Sequence, residues 1–142
     1  MTESGEVYTA LLEGSAEGTH VDGAIVSVGI LKKRVTITVK EGFATSITGG
    51  PQASKFDALL GEVKKKEAYN IAELGVGCNP NGRLIGIILE DEKVYGTVHI
   101  TSGDNSIFGG NVQAGIHLDE IMLKPTMFLD DKVVIKDSTW TI

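Results

Sequence analysis

Cysteine, proline, tryptophan and histidine are scarce in this 142-residue chain, with one Cys, three Pro, one Trp and three His. A lone Cys78 excludes an intramolecular disulfide, and with no His or second Cys beside it there is neither a zinc pair nor a redox dithiol. No apolar run approaches the roughly 18 residues of a membrane span. The opening MTESGEVYT lacks the apolar core of a secretory signal, so the expected setting is a reducing cytoplasm with no membrane partner. Basic residues are the minority, 13 against 19 acidic for a net charge of -6. That balance excludes the basic stripe that a nucleic-acid partner needs. There is no Walker loop, no GxSxG elbow and no HExxH, and the glycine pairs around 75–77 and 109–110 lack the strand and helix context of a dinucleotide loop.

Glycine is what the chain has in excess, 18 residues without a collagen period. Spread along the sequence, they imply tight turns between short strands. One domain is expected from the length. Glu6–Ala10 reads as a strand, and residues 13–22 as a glycine-punctuated turn region. Residues 24–31 and 35–39 read as strands paired about a turn at Lys32, Lys33 and Arg34, with a third strand at 43–48. Phe56, Leu59, Leu60 and Val63 recur at helical spacing. Ser54 and Asp57 resemble a capping box and Lys64–Lys66 suit a helix C-terminus, so the main helix is expected at about 54–67. Further strands are expected at 70–76, 96–101, 114–123, 126–129 and 132–136, with a short helix or tight turn at 90–93. The predicted fold is a β-rich α+β single domain with a mixed or antiparallel sheet.

Chemistry concentrates in the strands. His117 and Asp119 are two apart in an extended segment and so point to one face, a bidentate pair for a divalent cation or, blandly, the polar side of a half-exposed strand. His99 lies in the apolar GTVHI, where a hydrogen-bonded core histidine is the ordinary alternative to a ligand. Together the three residues fit a two-histidine, one-carboxylate triad. Glu73, in the nearly apolar IAELGVG, needs a partner if buried. Glu6 has nothing local to mark it, and His20 is assigned to the surface.

Five stretches in order, GEVYTALLEGSAEG, IAELGVGCNP, LEDEKVYGTVHI, GDNSIFGG and IHLD, resemble the C-terminal metal-binding half of the thermophilic metallo-aminopeptidase family, the aminopeptidase T and S type. The resemblance runs from about Gly5 to Lys136, so residues 1–142 are expected to form one metal-binding domain of catalytic type. It implies a co-catalytic pair of divalent ions, zinc or cobalt, held by Glu6, Glu73, His99, His117 and Asp119, and a peptide substrate with a free N-terminus. Glu6 would serve as the catalytic proton shuttle. The relatives imply a homo-oligomer, a dimer. This chain departs from the family in having no tyrosine between Thr101 and Gly110, with Ser106 near that place.

Two other readings stand beside the peptidase. One is a single-iron ring-cleaving dioxygenase using His99, His117 and Asp119, since some relatives of the family resemble dihydroxypyridine dioxygenases. The other is a metal-binding domain without activity of its own.

Overall fold

The computed structural model describes residues 5–81 and 93–142. Its main layer is a seven-stranded sheet built from β1 (Glu6–Ala10), β2 (Gly18–Ile25), β3 (Gly29–Lys40), β4 (Phe43–Thr48), β5 (Ile71–Gly77), β6 (Val98–Gly103) and β7 (His117–Met122). The strand order is β1-β5-β6-β7-β2-β3-β4, and every neighbouring pair is antiparallel. A bridge between Phe43 and Asn70, and the Ile71 N–H donating to the Gly42 carbonyl at 2.8 Å, bring β4 back to the foot of β5. The sheet is therefore strongly curled. A three-stranded sheet of β8 (Met127–Leu129), β9 (Lys132–Lys136) and β10 (Thr139–Trp140) completes the described elements.

Period-two alternation sorts the sheet into two faces. Val35, Ile37 and Val39 of β3 turn inward and are buried. They meet helix α1 (Pro51–Gly61), whose Ala53, Phe56 and Leu60 form one buried stripe. The small sheet packs Val134 and Ile135 against Val76 and Val98. Among the described residues, no helix is long and apolar enough to cross a membrane.

The β-rich α+β expectation holds, while several boundaries move. Helix α1 starts three residues before the expected Ser54, because Pro51 supplies a preset φ at the first turn and lacks only an N–H that the helix leaves unpaired anyway. Gly50, with φ 90°, caps it, and no capping box forms at Ser54. The helix ends at Gly61, well before residue 67. Lys64 takes φ 58° and Lys65 is extended, so Lys66–Tyr69 form a separate 3₁₀ turn. The Tyr69 hydroxyl pins that turn to the helix by donating to Asp57 Oδ1 at 2.8 Å.

The first hairpin is also displaced. Its turn falls at Val26–Val28, with positive φ at Ser27 and at Gly29, which opens β3, so Lys32–Arg34 lie within β3. Residues 18–22 belong to β2, not to a turn. The element expected at 90–93 falls mainly outside the described residues.

Candidate metal centre

Neighbouring strands set one row of the site directly. Ala10 of β1 pairs with Glu73 of β5, Glu73 with Thr101 of β6, and Thr101 with Asp119 of β7. In the next row Gly75 stands opposite His99, and farther along Gly103 stands opposite His117. Glycine at 75 is a steric requirement, since a Cβ there would lie 2.1 Å from the His99 ring. Glu6 is set opposite Gly77 on the edge strand.

These registers bring all five sequence-derived candidates together. His99 Nε2 lies 3.4 Å from Glu73 Oε1 and 3.6 Å from Glu6 Oε2. His117 Nε2 lies 3.2 Å from Glu73 Oε2 and 3.6 Å from Asp119 Oδ1. Ligand atoms of Glu73, His99 and Asp119 fall within 4.8 Å of one another. Glu73, His99 and Asp119 are buried, with His117 and Glu6 at the mouth.

Burial raises the Glu73 carboxyl pKa, but hydrogen bonds from His117 and His99 outweigh it and hold the group at about 2. Burial lowers His117, yet its bond to Glu73, the Asp104 carbonyl and the Asp119 charge lift it to about 9. His99 is raised against burial by the Glu73 hydrogen bond and the charges of Asp119, Glu73 and Glu6. Burial raises Glu6. Without a metal, then, protons on the imidazoles balance the carboxylates, and a cation would replace them.

The donor set fits a metal ion. Glu6 Oε2 is buried without a hydrogen-bond partner among the described residues. The His117 Nδ1–H donates to the Asp104 carbonyl at 2.9 Å, which turns Nε2 toward the carboxylates. Such a bond on the far nitrogen is the usual way a ligating imidazole is oriented.

Sequence reasoning passed over three contributors. Thr101, two residues after His99 on the same face, donates to Asp119 Oδ1, and the same hydroxyl lies 3.4 Å from Glu73 Oε2. The GDNSIFGG stretch folds into a loop that carries Asp104 and places Phe108, whose ring centroid is 5.1 Å from both His117 and Tyr8. Ser106, near the position of the family tyrosine, donates instead to Asp104 Oδ1 within the loop. A cavity of about 230 Å³ opens beside His117, lined also by Asp104, Ile107 and Ile116.

His20 departs from its surface assignment. It lies on β2, and its Nδ1 is 3.0 Å from Asp22 Oδ1 in a second buried cluster with Glu120.

Fold and face together define a class: an antiparallel-sheet domain with a buried histidine–carboxylate centre. The chain belongs to the NicX, 2,5-dihydroxypyridine 5,6-dioxygenase, family, whose model matches residues 3–141. It is 29% identical over 145 residues to the 2,5-dihydroxypyridine 5,6-dioxygenase of Pseudomonas putida (strain KT2440), covering 93% of this chain and 41% of that protein. The structure of 2,5-dihydroxypyridine dioxygenase from the same organism aligns with TM-score 0.87 and 27% identity, over 94% of this chain and 42% of that one. Wild-type AmpT from Thermus thermophilus aligns with TM-score 0.73 and 16% identity, over 98% of this chain and 40% of that one, a likeness of fold. The chain thus spans about two fifths of these relatives.

The aminopeptidase family assignment is overturned by these matches. With it go the hydrolase activity and the co-catalytic zinc or cobalt pair. Its motifs fall on β1, β5, β6, β7 and the β6–β7 loop of a fold that both groups share, so they reported the fold and not the reaction.

Proposed function

We propose that this chain supplies the metal-binding part of a ring-cleaving dioxygenase that opens a dihydroxylated pyridine using one iron(II). The supporting observation is the place of Asp119, which has a ligand atom within 4.8 Å of one on His99 and its Oδ1 3.6 Å from His117 Nε2, in a chain of this family. Two histidines and one carboxylate with open positions are the ligand set of non-haem iron oxygenases. Bound there, iron(II) supplies the redox chemistry by which dioxygen enters an aromatic ring.

The chain's own residues account for the rest. Glu73, seated between the two imidazoles, balances charge and holds both rings in place. Thr101 orients Asp119 by donating a hydrogen bond to it. Glu6, beyond the triad and with its pKa raised by burial, is placed to take the proton that a ring hydroxyl gives up. Phe108 offers a face for stacking a planar ring next to His117.

The expected homo-oligomer remains part of this proposal. Val7 and Tyr8 are exposed on the edge strand β1 and Ile107 on the β6–β7 loop, where a second copy would cover them. The setting is the cytoplasm, where Cys78 stays a thiol. The peptide substrate belonged to the peptidase reading and is not carried forward.

An oxygen electrode tests the proposal on protein loaded anaerobically with iron(II), with light scattering on the same sample reporting the assembly. The expected result is one dioxygen consumed per 2,5-dihydroxypyridine lost, abolished in His117→Ala. Iron-loaded, folded protein that consumes no dioxygen with this ring would overturn it.

A further inference from the structure

A second cluster stands on the opposite face of the same strands. Adjacent residues of a strand point to opposite sides, so Asp119 enters the first centre while Glu120 enters the other. On β6 likewise, Thr101 bonds Asp119 and Ser102 bonds Glu120, the latter at 3.0 Å. From β2 come His20 and Asp22, and one ligand atom from each of His20, Asp22 and Glu120 lies within 4.8 Å of the others.

Asp22 and Glu120 are fully buried. Three polar atoms, His20 Nε2, Asp22 Oδ2 and Glu120 Oε2, have no hydrogen-bond partner among the described residues. A proton on His20 would face Asp22 Oδ1 at 3.0 Å and Glu120 Oε1 at 4.0 Å, and would still leave Asp22 Oδ2 and Glu120 Oε2 unpaired. A divalent cation satisfies all three atoms and cancels the charge of both carboxylates. The His20–Asp22 contact of 3.0 Å orients the ring as the Asp104 carbonyl orients His117. His20 also borders a cavity of about 170 Å³ with Leu11, Glu17, Ile71, Ile100 and Met122.

The cluster's place in the sheet gives it a purpose. Between β2 and β7 the pairs Ala24–Ile121 and Ile25–Glu120 are in register, extended by the Val26 N–H donating to the Asp119 carbonyl at 3.0 Å, whereas β6 and β7 share six register pairs. This short seam joins β1-β5-β6-β7 to β2-β3-β4. We propose that His20, Asp22 and Glu120 bind a structural first-row divalent cation that staples β2 to β7. One imidazole with two carboxylates suits manganese(II) or iron(II) better than the all-oxygen preference of calcium or magnesium. This ion lies across the sheet from the first centre and takes no part in its chemistry.

Manganese(II) alone is the probe. Metal-free chain is titrated, and bound manganese is counted by loss of the free-ion EPR signal while thermal unfolding is followed. His20→Gln is expected to lower the count by one equivalent, both in the wild-type background and in His117→Ala, and to remove a manganese-dependent rise in Tm. If His117→Ala does not fold, the wild-type comparison still gives the difference. An unchanged count in His20→Gln, with no manganese effect on Tm, overturns the proposal and leaves a cluster that holds protons only. Because the readout is a difference at His20, it does not depend on the ring-cleavage reading.

Discussion

Gly75 shows how one residue governs the centre. The His99 ring occupies the space that any side chain at 75 would fill, and the backbone offers no detour because Gly75 is paired on both sides, with Tyr8 and with His99. Gly75→Ala is therefore expected to push His99 off Glu73, cost about 1–3 kcal/mol of stability by overpacking, and lower the iron content by the one equivalent held at this centre. Denaturant unfolding and iron content of the purified variant would check this. An alanine variant with the same iron content as wild type would show that His99 has room to move. At this scale the sequence was readable where period two applied: His117 and Asp119, two apart in an apolar strand, do share a face. The same spacing in His20 and Asp22 went unread because flanking glycines resembled a turn. Glu6 was visible only through its motif, since its neighbours lie on β5 and β6, far along the chain.

At the scale of elements, the loop between β6 and β7 determines where His117 points. Asn105 is fully buried. Its amide donates to Glu13 Oε1 at 3.0 Å, and its carbonyl accepts the Val112 N–H at 2.9 Å. Asp104 Oδ2 accepts the Ala114 N–H, and hydrogen bonds from Ser106 hold its carboxyl at about 2. The loop is thus tied on both sides of the carbonyl that orients His117. Asn105→Ala is expected to cost about 1–3 kcal/mol through the unpaired groups it leaves and to weaken iron binding about 10–100-fold through the loss of imidazole orientation. Calorimetric iron titration compared with the unfolding curve separates the two effects; unchanged iron affinity would argue that the loop only stabilises. The helix and most strands were foreseeable from apolar periodicity. Their ends were not, because Ser27 and Lys64 take positive φ without being glycine, and no local pattern announces that.

For the whole molecule, motif order marked the strands and loop that carry the site and misled about the reaction. An antiparallel sheet that sets carboxylates and histidines on one face can serve different chemistries, so function must come from the site and the family. The ring-cleavage proposal requires one iron on that face, held by His99, His117 and Asp119. Crystals of the chain soaked anaerobically in iron(II), measured on both sides of the iron absorption edge, test it most directly. The account predicts a single anomalous peak on this face, within bonding distance of those three side chains. Two peaks bridged by Glu6 and Glu73, or no peak among these residues, would contradict it.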